Sequence, residues 1–232
     1  MNQYQRLIRN SVFIDFEGEG EKRDKTIPLP HMVGLFRPND RGRSGKYQAI
    51  FFREQWHPAA NGSGGKATEN EFEDFFKSLL LELEQHSRLC IFWSIHELEV
   101  LKLYLPASLF NELSKYMFNL LPDVRRYANI RRSRELDSGE KAHSLDEYFQ
   151  LYYKKRKPYP PINPGPAETC RQIDRTCNSN MKWKNFSDRQ KAYVKDLLAY
   201  NEGDVRCTWL LALKVANAQK LRLSEYQRCF LN

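Results

Sequence analysis

The sequence predicts one α/β domain whose mixed sheet has three antiparallel strands first and parallel strands later, flanked by helices. The chain has 232 residues, of which 41% are apolar and 13% aromatic, and this is enough for one sizeable core. Three strand patterns follow one another, and helix, strand and helix patterns come next, which gives the order βββαβα. A helix between two strands permits parallel pairing, so this order predicts a mixed sheet.

Three short strands are predicted at the beginning of the chain. Residues 11–17, 31–36 and 47–52 are rich in β-branched and aromatic side chains, and turn or polar loop residues separate them. Because the three strands are consecutive in sequence, we expect an antiparallel meander. We also expect the first strand to lie at the centre of the sheet.

Helices dominate the rest of the chain. Apolar side chains recur at helical spacing over residues 69–85, and the apolar run 88–95 that follows predicts a buried, parallel strand. The helical pattern returns over 96–104 and continues through most of 106–150, where Ser144 is a suitable N-cap for one helix. The last predicted element is a long helix over residues 187–219.

A basic, proline-rich segment precedes this last helix. Five prolines lie between Pro158 and Pro166, which favours an extended, semi-rigid loop. Residues 154–186 are interpreted as a loop-forming insertion into a single domain that comprises residues 1–232.

The positive charge of the chain is concentrated in one region. The net charge is +8, and residues 121–191 contain 16 Lys and Arg against 9 Asp and Glu, a difference of 7. Aromatic residues alternate with the basic ones, as on surfaces that contact phosphates and stack bases. A solvated helix face is the alternative for any single basic run. The side chains predicted to bind nucleic acid are Arg125, Arg126, Arg131, Arg132, Lys154, Lys155, Arg156 and Lys157.

Several classes of protein are excluded by the composition. The apolar runs are much shorter than the roughly 20 residues of a membrane-spanning helix, so no membrane partner is expected. The first residues lack the pattern of a signal peptide, and the five cysteines include no CxxC pair. We therefore expect a cytoplasmic protein with reduced thiols, most of them in the core.

Carboxylates occur at three places where they could hold a metal ion. Asp15 and Glu17 are two residues apart on a predicted strand, so both side chains leave the same face of the sheet. Glu97 follows the predicted parallel strand, and the carboxyl ends of such strands are common sites of function. Tyr200 and Asp204 share one face of the last helix because they are four residues apart.

Each of these motifs also has a structural interpretation. Glu97 can be an acid favoured by the dipole at the start of a helix, and its neighbour His96 need not be a ligand. Tyr200 can belong to the core while Asp204 lies on the surface. A D-x-E triplet occurs by chance in a chain of this length, but the order of all three motifs is much less frequent by chance.

These motifs resemble those of the DEDD superfamily of 3′-5′ exonucleases, which have the ribonuclease H-like fold. The closest resemblance is to the ribonuclease H-like domain found beside RecB-type nucleases. Its FDxEG strand is similar to residues 13–18, and its YNExDV helix is similar to residues 200–205. A Glu before a Leu-rich helix corresponds to Glu97, where the wider superfamily has Asp. The resemblance spans roughly residues 12–214, but it provides no counterpart for the basic insertion.

The resemblance implies a nuclease of the tyrosine-type branch that hydrolyses phosphodiester bonds of single-stranded DNA or RNA. Two Mg²⁺ or Mn²⁺ ions, about 4 Å apart, would activate water and stabilise the leaving oxygen. In that family pattern, the phenol of Tyr200 would orient the attacking water. The residues that would hold the two ions are Asp15, Glu17, Glu97 and Asp204.

Two alternatives remain open at this point. The chain could be a catalytically degenerate ribonuclease H-like module that binds nucleic acid or protein, because Glu97 and the insertion depart from the family pattern. It could also be a structure-selective endonuclease, since the same metal site can cut internally when the groove is open.

Overall fold

A computed structural model describes residues 1–20, 22, 24–39, 44–135, 144–154, 162–179 and 182–231, with only the backbone for residues 130–135. It has one six-stranded mixed sheet with helices on both faces, which confirms the predicted α/β class. The strands are β1 (Val12–Glu17), β2 (Met32–Pro38), β3 (Gly45–Phe51), β4 (Ala67–Glu69), β5 (Cys90–Phe92) and β6 (Met117–Asn119).

The sheet has the order β4-β3-β2-β1-β5-β6 and is consistent with a ribonuclease H-like fold. Strands β1, β2 and β3 pair antiparallel, as the meander pattern predicts. Strand β5 pairs parallel to β1, and β6 pairs parallel to β5, whereas β4 joins the opposite edge parallel to β3. Strand β1 therefore lies inside the sheet, between β2 and β5, as expected.

Helices cover both faces of the sheet. They are α1 (Gln3–Asn10), α2 (His57–Gly62), α3 (Phe72–Gln85), α4 (His96–Tyr104), α5 (Ala107–Ser114), α6 (Leu121–Glu135), α7 (Leu145–Tyr153), α8 (Pro166–Ser179), α9 (Asp188–Asn217) and α10 (Glu225–Arg228). Among the described residues, no helix is both long and apolar enough to cross a membrane.

The alternation of side chains along β1 divides the core into two layers. Phe13 packs with α1, α6, α7, α8 and α9 on one face, whereas Val12 and Ile14 pack with α3, α4 and α5 on the other. Because successive side chains of a strand point to opposite faces, Asp15 and Glu17 lie on the same face as Phe13. The first strand thus directs both carboxylates towards the layer that contains α9.

Capping residues fix where the helices of this layer begin. Ser187 is the N-cap of α9, and its hydroxyl accepts a hydrogen bond from the backbone N–H of Gln190. Ser144 caps α7 in the same way, which confirms the predicted N-cap. Such capping boxes satisfy backbone groups that the first turn of a helix leaves without partners.

The segment 154–186 differs from the predicted loop, because residues 166–179 form helix α8. Pro166 begins this helix, at a position where proline is favoured since it has no N–H to leave unsatisfied. Cys170, Ile173 and Cys177 recur at helical spacing and are buried against the sheet layer. The high density of prolines before residue 166 concealed this pattern. Of the extended loop predicted for residues 158–166, residues 158–161 lie outside the described part.

Several short elements were also not predicted. Strands β4 and β6 contain three residues each, too few for an alternating pattern to be visible. Helix α2 begins at His57, in a region that looks like a turn because of its Pro and Gly residues. All five cysteines are free thiols, and Cys229 alone among them is exposed, which agrees with the expected reduced state.

Candidate metal centre

The first strand and the last long helix bring three carboxylates together. One oxygen from each of Asp15, Glu17 and Asp204 lies within 4.8 Å of the others, and we call these three residues the carboxylate cluster. Glu17 and Asp204 are buried, and Asp15 is half-buried. Three carboxylate oxygens at this separation form a group that could bind a metal ion.

Backbone register explains why the cluster forms at this place. Asp15 pairs with Gly34 and Glu17 pairs with Met32 across the β1–β2 ladder. Their side chains meet α9, where Asp204 belongs to the buried face of the helix. The predicted grouping of Asp15, Glu17 and Asp204 is therefore present.

Asn201 links the strand to the helix, and the sequence motifs gave this residue no role. Its side-chain amide faces the carboxylate of Asp15 at 2.8 Å, the carbonyl oxygen of Asp15 at 3.2 Å and the carboxylate of Glu17 at 3.3 Å. The hydroxyl of Tyr47 donates to the Asn201 carbonyl oxygen at 3.0 Å. Asn201 is fully buried, so its hydrogen bonds fix the positions of two carboxylates.

Gly34 provides the space that Asn201 occupies. A Cβ atom at position 34 would lie 1.5 Å from Oδ1 of Asn201, much closer than two non-bonded atoms can approach. The added Cβ atom would also lie 3.1 Å from the ring of Tyr47. A side chain on β2 opposite Asp15 would therefore displace the amide that holds the cluster together.

Tyr200 lies beside the cluster, one helical turn before Asp204. Burial raises the pKa of its phenol well above the usual value, and the negative charges of Asp204, Glu17 and Asp15 raise this pKa further. A hydrogen bond between the phenol and the carboxylate of Asp204 acts in the same direction. Tyr200 therefore stays protonated at neutral pH and can donate a hydrogen bond, but it cannot act as a base there.

Glu97 is buried near the same end of the sheet but is not a member of the carboxylate cluster. It lies in the first turn of α4, and its carboxylate accepts hydrogen bonds from the Ser94 hydroxyl at 2.9 Å and the Ser94 N–H at 3.3 Å. Burial raises the pKa of Glu97 to about 7, and the Ser94 hydrogen bonds oppose this rise. The structure thus brings together three of the four carboxylates that the sequence motifs single out.

The basic residues predicted to bind nucleic acid divide into three groups. Arg125 and Lys154 are exposed, at positions on α6 and after α7. Arg126 is engaged within the fold, because its guanidinium pairs with Asp123 at 2.9 Å and donates to the carbonyl oxygen of Lys220. Outside the described residues or side chains lie Arg131, Arg132, Lys155, Arg156 and Lys157.

Comparison with known proteins adds no identification. No protein-family model matches this chain, and no curated protein matches its sequence. The fold and the geometry of the carboxylate cluster are therefore the observations that bear on function.

Proposed function

We propose that this protein is a metal-dependent nuclease that removes nucleotides from the 3′ end of single-stranded DNA or RNA. The observation that carries the proposal is the carboxylate cluster, in which one strand and one helix place three acidic side chains within 4.8 Å. The resemblance of the three sequence motifs to tyrosine-type DEDD exonucleases supports the same function, and so does the ribonuclease H-like order of the strands.

The chemistry of the cluster fits Mg²⁺ or Mn²⁺. Both are hard cations that prefer oxygen ligands, and carboxylates are their most frequent protein ligands. Asp15, Glu17 and Asp204 offer only oxygen donors, and their negative charges repel one another unless a cation or proton lies between them. When bound, a divalent cation supplies Lewis acidity and neutralises the charge of a phosphate group.

The other residues of the site position these groups. Asn201 holds the carboxylates of Asp15 and Glu17 towards each other with its amide. Tyr200 keeps its proton and presents a hydrogen-bond donor beside Asp204, which suits it to orient a water molecule or a phosphate oxygen. Buried surroundings strengthen these interactions because the local dielectric constant is low.

Glu97 has a separate place in the proposal. The family resemblance assigns it a ligand role, and its position after β5 puts it at the carboxyl end of the strand next to β1. In the structure its carboxylate bonds to Ser94 and is not part of the carboxylate cluster. The catalytically degenerate module is the second candidate, because the hydrogen bonds to Ser94 hold Glu97 outside the carboxylate cluster.

Substrate would approach along the helical layer that contains α9. Helices α6 and α7 belong to this layer, and the exposed side chains Arg125 and Lys154 lie on α6 and directly after α7. Contacts of Lys and Arg with phosphates provide affinity without selecting a sequence. This arrangement supports a nucleic acid as partner, and it discriminates neither DNA from RNA nor single strands from duplexes.

The test is cleavage of end-labelled single-stranded DNA and RNA by the purified chain with Mg²⁺ or Mn²⁺. We expect mononucleotide products, no cleavage with EDTA, and at least about 10³-fold slower cleavage by Asp15→Asn. Asp188→Asn, at the exposed start of α9, is the matched control and should retain activity.

Each other result identifies one of the alternatives. Oligonucleotide products would show that the protein is an endonuclease and not an exonuclease. Salt-sensitive binding that is indifferent to EDTA, without cleavage, would favour the degenerate module. Cleavage that persists in Asp15→Asn would show that the carboxylate cluster is not the catalytic centre.

A further inference from the structure

A second group of metal-ligating side chains lies close to the end of β1. One ligand atom from each of Glu19, His31 and Asp174 lies within 4.8 Å of the others, and we call these residues the histidine cluster. They come from three separate segments, namely the turn after β1, the residue before β2 and helix α8. The D-x-E pattern does not include Glu19, and Asp174 belongs to the segment that was expected to form a loop.

His31 is the unusual member of the histidine cluster. It has no exposed surface, and neither of its ring nitrogens has a hydrogen-bond partner within the described residues. Its Nε2 atom lies 3.6 Å from Oδ2 of Asp174 and 3.8 Å from Oε1 of Glu19, distances that are too long for hydrogen bonds. Burying an imidazole whose ring nitrogens make no hydrogen bond is costly, and a metal ion bound at Nε2 would remove part of this cost.

We propose that Nε2 of His31, with one carboxylate oxygen each from Glu19 and Asp174, binds a divalent transition-metal ion such as Zn²⁺. Two ligands that each lie about 2.1 Å from one ion are about 3 to 3.6 Å apart at bond angles of about 90 to 120°. The two separations from Nε2 of His31, 3.6 and 3.8 Å, are close to this range, and the two carboxylate oxygens lie within 4.8 Å of each other, so binding an ion requires the carboxylates to move closer together. An imidazole ligand favours Zn²⁺ over Mg²⁺, which distinguishes this site from the all-oxygen carboxylate cluster.

Trp56 is not a ligand of the proposed metal ion, but it orients two of the ligands. Its indole N–H donates to Oδ1 of Asp174 at 2.5 Å, which leaves Oδ2 to face His31. The ring of Trp56 also packs edge-on against His31, with 5.2 Å between the ring centroids. Hydrogen bonds of this kind are typical of the partners that orient metal ligands.

The rival explanation is that Arg53 neutralises the two carboxylates without a metal. Its positive charge is close enough to act on His31. Nevertheless, no ion pair joins Arg53 to Glu19 or Asp174 in the part of the chain that the structure describes. The carboxylate oxygens of Glu19 and Asp174 that face His31 are therefore not occupied by an ion pair with Arg53.

A metal ion here would tie α8 to the end of the β1–β2 ladder. The main-chain N–H of His31 donates to the carbonyl oxygen of Glu17, so the ladder connects this site to the carboxylate cluster. The ion would have a structural role beside the proposed catalytic centre. The proposal of this metal site does not depend on whether the protein is a nuclease.

The experiment measures Zn²⁺ binding by the full chain in an Asp15→Asn, Asp204→Asn background, which removes two ligands of the carboxylate cluster. Isothermal titration calorimetry should show that one Zn²⁺ binds per chain. With Co²⁺ in place of Zn²⁺, the absorption spectrum should contain the band of a low-coordinate site that has a His ligand. Adding His31→Gln should weaken Zn²⁺ binding by about 100-fold or more. His57→Gln is the control, because exposed His57 also pairs with a carboxylate, that of Glu69 at 2.7 Å.

Three results would overturn the proposal. They are no Zn²⁺ binding by the folded background variant, equal binding after His31→Gln, and equal losses from His31→Gln and His57→Gln. Circular dichroism checks that each variant is folded. If His31→Gln does not fold, Glu19→Gln and Asp174→Asn replace it, and each should weaken binding by about tenfold or more. Unchanged Zn²⁺ binding by both Glu19→Gln and Asp174→Asn would also overturn the proposal.

Discussion

The side-chain amide of Asn201 holds Asp15 at two points, its carboxylate at 2.8 Å and its main-chain carbonyl oxygen at 3.2 Å. The two residues are 186 positions apart in sequence, on α9 and β1. Asn201 therefore sets the distance between the strand that carries two carboxylates and the helix that carries the third. Its two amide protons also offset part of the repulsion among these carboxylates.

Replacing this amide by a carboxylate should weaken the metal-free fold. Asn201→Asp removes the donors that face Asp15 and Glu17 and adds a buried negative charge. We expect a loss of about 3 kcal/mol in the free energy of unfolding at pH 7.5, measured by urea denaturation with EDTA. Adding Mn²⁺ should restore part of the lost free energy of unfolding. Asn217→Asp, at the exposed end of α9, should cost much less, and equal losses would contradict the role of Asn201.

A methyl group at position 34 should disturb the same contact. Gly34→Ala puts a Cβ atom 1.5 Å from Oδ1 of Asn201, so one of the two must move. We expect destabilisation of about 2 kcal/mol, measured by thermal unfolding. Combining Gly34→Ala with Asn201→Ala should cost less than the sum of the single changes, because the clash disappears. Strict additivity of the two changes would show that the methyl group acts elsewhere.

The phenol of Tyr200 should matter for catalysis and not for folding. Tyr200→Phe removes only the hydroxyl that bonds to Asp204, so we expect near-normal stability and Mn²⁺ affinity. The rate of cleavage should fall about 10- to 100-fold. Tyr193→Phe is the control, since Tyr193 lies two turns earlier on α9 and its hydroxyl bonds to Arg189. Similar rates for the two variants would remove Tyr200 from the mechanism.

Glu97 should make the stability of the metal-free protein depend on pH. Its pKa is about 7 in the fold and 4.5 ordinarily, so the folded state binds the proton more tightly than the unfolded state. The folded state therefore loses stability as pH rises from 4.5 to 7, by about 3 kcal/mol in total.

Glu97→Gln removes this titration and tests its size. Relative to the unchanged protein, the variant should gain stability between pH 5 and pH 8, measured by urea denaturation with EDTA. Glu99→Gln, on the exposed side of the same helix, should show no such trend. A constant difference at all pH values would mean that Glu97 does not titrate in this range.

The exposed basic residues should set the salt dependence of nucleic-acid binding. Arg125→Ala with Lys154→Ala should weaken binding of single-stranded DNA and lower the slope of log K against log salt by about 1 to 2. Fluorescence anisotropy at several salt concentrations measures this slope. Lys77→Ala is the control, because exposed Lys77 belongs to α3 on the opposite face of the sheet. An unchanged slope would place the nucleic acid elsewhere.

Much of the fold follows from periodicity. The alternation along β1 was enough to predict that Asp15 and Glu17 share a face, and helical spacing placed Tyr200 and Asp204 together. The three-residue strands β4 and β6 lack any such signal, since sheet pairing and not local pattern defines them. Helix α8 was missed because burial of its apolar face against the sheet outweighs the prolines before it.

The site was only partly predictable for a related reason. Asn201 lies inside the YNExDV pattern, but nothing in the spacing indicates which carboxylates its amide would reach. Glu97 was correctly placed after a parallel strand, whereas its bond to Ser94 depends on a side-chain rotamer that the sequence does not specify. The histidine cluster joins residues that are far apart in the chain, so only the tertiary structure brings them together.

The position of Asp204 along α9 has a mechanical consequence. It lies 16 residues after Asp188 (204 − 188) and 13 before Asn217 (217 − 204), and so close to the midpoint of the helix. At about 1.5 Å per residue, a rigid tilt of about 5° about this midpoint moves the ends by about 2 Å. Asp204 itself hardly moves, because it lies near the pivot. A tilt about the midpoint of α9 would therefore displace both ends of the helix and leave the carboxylate of Asp204 nearly in place.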